Sequence, residues 1–214
     1  MPALGGAIFL LLSLLVQLRV LAGIDLTVAR LVAPLGNEAI DTLGEWVAVA
    51  VSAEVSLIYA ALGAALLWRA GVGRLAVTPF GFLLLEPIEL LWKLIVNQPP
   101  VPDEFYRRVA YPLTTLVLNG SFPSGHAMRS AFFCVFLGVV LAKRGGWPAR
   151  IGPALCVVVA LLFGFTRIYL GYHWFSDVIA GLVLGGSLAL FVAPLVVRRE
   201  GSGLRPSINM GIPR

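Results

Sequence analysis

Two polar clusters interrupt an otherwise apolar chain, and their residue types suit the handling of phosphate. The first, Pro123-Ser124-Gly125-His126, offers a hydroxyl, a backbone amide that a ligand can approach closely, and an imidazole. A serine ahead of a helix can cap it, and the free N–H groups of a helix N-terminus bind anions. The second cluster is Thr166-Arg167, followed by His173 and Asp177. If a helix has begun by residue 173, the i, i+4 spacing puts His173 and Asp177 on one face. A carboxylate that accepts from Nδ1–H then fixes the imidazole tautomer and leaves Nε2 free as nucleophile or base. Arg167 has the planar fork that grips phosphate oxygens bidentately. Further up the chain, Glu86, Glu89 and Lys93 lie three and four residues apart and share one helical face, with Glu89 expected to hold Lys93 toward an anion. Each has a plainer reading: His126 as a satisfied helix-start histidine, His173 and Asp177 as a helix cap, Arg167 snorkelling to the interface, Glu89 and Lys93 as a structural pair.

The elements that must bring these residues together follow from composition. With 214 residues, 59% hydrophobic and only 13% charged, the chain reads as an all-α, polytopic membrane protein. Spans are expected at Ala3–Ala22, Trp46–Trp68, Leu75–Val96, about His126–Ala142, about Ile151–Tyr169 and about Phe175–Val197, six in all. The first lacks a basic flank and is kept as a helix, not a cleaved leader. Gly23 to Glu45 reads as a connection with a short interfacial helix, broken at Pro34-Leu35-Gly36, and Pro112 to Asn119 as an apolar re-entry. Pro87 is expected to kink the third span near Glu86. Glu54 suits interhelical hydrogen bonding or a role in the site. Gly181 and Gly185 suit a packing seam inside the bundle, and Cys134 and Cys156 suit packing.

Placing both termini in the cytoplasm collects Arg69, Arg74, Lys143, Arg144, Arg150, Arg198, Arg199, Arg205 and Arg214 on that side, as the positive-inside bias requires. Lys93, Ser124, His126, Arg167, His173 and Asp177 then converge on the opposite face. The net charge of +5 comes from scattered residues with no basic run, which argues against nucleic acid as a partner.

On these residues the chain resembles the type 2 phosphatidic acid phosphatase (PAP2) superfamily, whose motifs are K-x6-R-P, P-S-G-H and S-R-x5-H-x3-D. Pro123 to His126 matches the second motif in full; Arg167, His173 and Asp177 match the third, with Thr166 replacing the usual serine. The resemblance covers about residues 46–195 of a single domain, 1–214, with 198–214 as a short basic cytoplasmic tail. The first motif departs: Lys93 is present, but Pro100 and Val101 stand where the family has Arg-Pro. Arg129, one helical turn after His126, is the preferred replacement cation, with Arg107 and Arg108 as others and pairing to Glu86 or Glu89 as the competing role for Arg129.

The resemblance implies a metal-independent phosphoric monoester or diphosphate hydrolase, without cofactor, acting on a lipid phosphate in a cell membrane. His173, oriented by Asp177, would form a phosphohistidine, and His126 would protonate the leaving oxygen. Lys93, Ser124, Gly125, Arg167 and Arg129 would hold the phosphate. An outward-facing site makes undecaprenyl pyrophosphate the first expected substrate, then phosphatidic acid or phosphatidylglycerol phosphate. The alternatives are a catalytically weakened lipid-phosphate binder or transporter, and a lipid phosphotransferase. A metal centre built from His126, His173 and Asp177 is disfavoured because Lys93 and Arg167 would repel a cation.

Overall fold

The computed structural model describes residues 2–107, 120–143 and 146–202, and the described residues form helices and turns without strands. Arg108, the Pro112–Asn119 re-entry, Arg144 and the last twelve residues of the expected tail lie outside the described residues.

Helix α1 (Pro2–Gln17) turns through 88° into α2 (Ala22–Val32), which continues as a 3-10 turn over Ala33–Leu35. The expected first span therefore stops five residues early. Its end is a Schellman motif: Val20 N–H donates to Leu15 C=O (2.9 Å), Arg19 N–H donates to Val16 C=O (2.8 Å), and Arg19 takes the left-handed position at φ 59°. Helix α3 (Glu38–Ala50) begins after Asn37, whose side chain accepts from the amides of Ala39 and Ile40. It bends by 53° into α4 (Ala53–Arg69). The expected continuous span from Trp46 to Trp68 is thus two helices, parted at Val51-Ser52 because Ser52 accepts from Val55 N–H and starts a new one. Glu54 lies exposed in the first turn of α4, with no interhelical hydrogen bond among the described residues, contrary to the first of its two readings.

The third span begins as a 3-10 stretch, Gly73–Leu84, and becomes α-helical as α5 (Leu85–Ile95). The change of helix type comes just before Pro87, not at it. Helices α6 (Gly125–Ala142), α7 (Gly146–Tyr169) and α8 (Phe175–Ser202) complete the bundle. Helix α7 starts earlier than expected, and α8 runs through the first residues assigned to the tail.

Gly181 and Gly185 form the seam between α8 and α6: a Cβ at Gly181 would lie 2.6 Å from the Ser124 carbonyl oxygen, and one at Gly185 would strike that of Met128. Among the described residues, four helical stretches are long and apolar enough to cross a membrane, and up to six if each bent pair counts as one span. The most telling is Gly146–Tyr169, which is strongly apolar yet only 22% buried. Leu155, Val158, Leu161 and Leu162 point outward, as suits a lipid solvent and not water. The protein is a multi-pass membrane protein.

Candidate active site

The end of α7 explains the spacing of Arg167 and His173. Gly171, at φ 75°, occupies the left-handed position of a second Schellman motif, with Tyr172 N–H donating to Arg167 C=O (3.0 Å) and Gly171 N–H to Ile168 C=O (3.0 Å). The motif folds Tyr172 back over the helix end, so its ring lies 4.4 Å from the Arg167 guanidinium, and His173 N–H also donates to Arg167 C=O. A side chain at 171 would collide with the Phe105 carbonyl, which adds a packing demand for glycine.

Helix α8 starts immediately afterwards. Asp177, fully buried in its first turn, accepts from Trp174 N–H at Oδ2 (3.0 Å), the reciprocal half of a capping box. The same oxygen faces His173 Nδ1 at 3.4 Å. The capping and the histidine-orienting readings thus hold together in one carboxylate. Burial, then the positive charges of Arg167 and Lys93, holds the His173 imidazole well below its ordinary pKa, so the ring is neutral at neutral pH.

The Pro123–His126 turn is fastened to this helix, since Ser124 N–H donates to Asp177 C=O (3.1 Å). Ser124 is the buried N-cap of α6, its hydroxyl oxygen accepting from Ala127 N–H at 3.4 Å while its proton stays available to another acceptor. His126 is part-exposed beside it, and Arg167, Arg129, His173 and Lys93 all act on it electrostatically.

The α5 face meets α6 as expected. Lys93 Nζ lies 2.7 Å from Glu89 Oε1, while Arg129 Nη1 lies 3.3 Å from Glu89 Oε2 and 2.9 Å from Glu86 Oε1. Arg129 Nε donates to the Val51 carbonyl (3.0 Å), which the α3–α4 break leaves free of a helical partner. The Glu89 carboxylate rests against Gly125, where any Cβ would overlap it. So Glu89 bridges two cations directly under the N-terminus of α6, and both roles weighed for Arg129 are compatible with its position.

Arg167 differs. It is buried, forms no ion pair among the described residues, and its Nε has no hydrogen-bond partner. The other candidate cation, Arg107, is spent elsewhere: it donates to the carbonyls of Tyr169 (2.7 Å), Val32 (3.1 Å) and Ala33 (2.9 Å) and covers the Tyr169 ring at 4.3 Å. It staples the end of α7 to α2 and does not replace the missing first-motif arginine.

Several residues around the site escaped the sequence reading. The Tyr172 hydroxyl bonds Glu45 of α3, and the Tyr106 ring meets Tyr172 edge-on at 4.5 Å. Asp25 of α2 accepts from Ser176 N–H (2.8 Å), Ser176 Oγ (2.7 Å) and Gln98 Nε2 (3.2 Å), tying α2, the turn after α5 and the start of α8 into one buried knot. Thr166, by contrast, turns its hydroxyl back to Phe163 C=O (2.7 Å), a local helix contact.

This arrangement sits on a recognisable frame. The model of the PAP2 superfamily matches residues 66–200. The chain belongs to the PAP2 superfamily. Phosphatidylglycerophosphatase B of Bacillus subtilis is 33% identical over 90 residues, 40% of this chain and 44% of that protein. The undecaprenyl-diphosphatase of Sulfolobus acidocaldarius is 35% identical over 83 residues, 39% of this chain and 35% of that one. The aligned stretches thus span less than half of these curated relatives. The crystal structure of the transmembrane PAP2 type phosphatidylglycerolphosphate phosphatase from Bacillus subtilis superposes with a TM-score of 0.75 at 18% identity, covering 96% of this chain and 98% of that chain. The PAP2 fold is therefore shared over nearly the whole length.

Proposed function

We propose that this PAP2 protein is a lipid phosphatase that hydrolyses a phosphate or pyrophosphate monoester through a phosphohistidine. The observation that carries the reading is Arg167, a buried guanidinium with no ion-pair partner among the described residues, set beside His126, His173, Lys93 and Arg129. A buried cation without a carboxylate is costly, and an anionic ligand relieves that cost.

In the proposed reaction His173 Nε2 attacks phosphorus, an N–P bond forms, and the bond from phosphorus to the leaving oxygen breaks as protonated His126 gives that oxygen its proton. Water then attacks the phosphohistidine and passes its proton to His126, freeing His173 and phosphate. Lys93, Arg167, Arg129, the Ser124 hydroxyl and the Gly125 amide stabilise the equatorial oxygens, where electrostatics dominates phosphoryl transfer. A surround of three cations suits an oxyanion better than a metal ion.

The charge distribution supports a non-cytoplasmic site in the cell membrane. Arg69, Arg74, Lys143 and Arg150 lie at the helix ends opposite the site, while Asp25, Asp41 and Glu45 lie at the site end. With six spans, both termini are cytoplasmic. An outward-facing site makes undecaprenyl pyrophosphate our first choice, ahead of phosphatidic acid and phosphatidylglycerol phosphate, and relatives named for two such substrates are in keeping with it.

The test is phosphate release by purified protein from a panel of these three lipids, repeated with His173→Ala, with acid-quenched capture of radiolabelled phosphate on the protein. We expect release and capture by the wild type and neither by the variant. A second reading, a weakened lipid-phosphate binder, draws on the loss of the first-motif arginine at Pro100. It prevails if wild type and His173→Ala are equally inactive on the whole panel yet bind one of the lipids.

A further inference from the structure

An apolar groove with a volume of about 190 Å³ opens on the outside of the bundle one helical turn below the site. One wall is the Ser130, Phe133, Cys134, Leu137 stripe of α6, a second is Phe163 of α7, a third is Tyr59 of α4, and Ala50 and Val51 close the upper end at the α3–α4 break. The stripe continues upward to His126, because 126, 130, 133, 134 and 137 share one face of a helix. On α7, Phe163 lies four residues before Arg167 and under it. The Val51 carbonyl at the top accepts from Arg129. The α6 and α7 walls and the upper end of the groove therefore each reach a residue that belongs to, or is held by, the phosphate site.

Resting on the hydrolase reading above, we infer that this groove takes the hydrocarbon chain of the leaving group, a lipid alcohol from a phosphate monoester or a lipid monophosphate from a diphosphate. In an in-line displacement the nucleophile and the leaving oxygen lie on opposite sides of phosphorus. His126, as the leaving-group acid, marks the leaving side, and the chain attached to that oxygen must run away from His126. The surface it meets there is this stripe. The lining is apolar apart from two hydroxyls: that of Ser130 is bonded to Ala127 C=O at 3.0 Å, and that of Tyr59 is carried on a ring that meets Phe133 edge-on at 5.9 Å. From Ser130 to Leu137 the groove runs about 10 Å along α6, which suits a stretch of extended chain. Bulk lipid is as apolar as the groove, so seating the chain adds little affinity, and its effect is to aim the scissile bond.

The test uses two substitutions outside the catalytic set, Cys134→Trp in mid-groove and Leu137→Trp at its lower, half-exposed end. Each is assayed in detergent against dioleoyl and dihexanoyl phosphatidic acid, and against undecaprenyl diphosphate and isopentenyl diphosphate. A tryptophan at 134 is expected to lower kcat/KM for the long-chain member of each pair by about tenfold or more, because misplacing a bound substrate by about 1 Å can cost 100-fold. The short-chain members should change by less than about twofold. Leu137→Trp should impair the long chains alone and by less, and it keeps the test intact if the bulk at 134 prevents folding. Equal losses on long and short chains, or no loss on either, would mean that the groove holds bulk lipid only and would overturn the inference. Should the wild type release phosphate from none of the four, the hydrolase reading itself has failed, a distinct result.

Discussion

His173 is held neutral by burial and by two cations, and that gives its titration a sign. The ordinary histidine value is 6.5, and here the folded-state value lies well below it. The acid limb of the free enzyme's kcat/KM should therefore lie well below the ordinary histidine value, as the His173 imidazole gains a proton and loses its lone pair, and a separate alkaline limb should follow loss of the His126 proton. Arg167→Gln removes one cause of the depression, so besides lowering turnover it should move the acid limb to higher pH. An unmoved limb would mean that His173 is not the titrating base. Arg129 calls for a different experiment, since its guanidinium both faces the site and neutralises Glu86 and Glu89. Arg129→Ala should lower turnover roughly 100-fold and also the melting temperature. Adding Glu86→Gln should restore much of the melting temperature and little of the turnover; restoration of both would make Arg129 purely structural. The sequence made these chemical identities legible, because the two intact motifs fix residue types at fixed offsets. It could not show that Arg107 is committed to three backbone carbonyls, because those carbonyls lie on α2 and α7, 62 to 75 residues away.

Single contacts between elements set the site's geometry. The α6–α8 seam tolerates nothing larger than hydrogen at 181, where a methyl group would sit 2.6 Å from the Ser124 carbonyl. Gly181→Ala must part the helices at the very turn that carries Ser124 and His126, so we expect a loss of about 1–3 kcal/mol in stability together with reduced kcat. Calorimetry and kinetics on the same sample check it, and unchanged kcat in a destabilised protein would uncouple the seam from catalysis. The seam was readable as a small-xxx-small pattern. The end of α1 was not, because its left-handed position is filled by Arg19 and not by glycine, at a cost of roughly 1–2 kcal/mol that no residue type announces. The break at Val51-Ser52 did leave a signal, a serine N-cap with Glu54 in the following turn, but it lay inside an apolar run long enough to suggest one span.

On the scale of the molecule, the site is not confined to the stretch that the family model matches. Asp25 caps α8, Glu45 holds Tyr172 beneath Arg167, and Val51 anchors Arg129, all from residues before 66. A fragment spanning 66–200 should therefore release no phosphate from lipids that the full chain hydrolyses, and co-expression with residues 1–65 should restore some of it. Activity in the fragment alone would make α1 to α3 and most of α4 dispensable. That the site residues converge on one face was legible from charge and span order, since helices that alternate direction leave few choices. The knot around Asp25 was not, as each of its three strands of chain is unremarkable alone. Its consequence falls on biosynthesis. Ser176 follows Asp25 by 151 residues. At about 5–20 residues per second the ribosome needs roughly 8–30 s to deliver it, and Gln98 arrives only about midway. For that interval the carboxylate has no helix to cap. Because α2 turns 88° away from the first helix, an α2 lying along the bilayer surface would keep that carboxylate in the wet boundary until Ser176 is made.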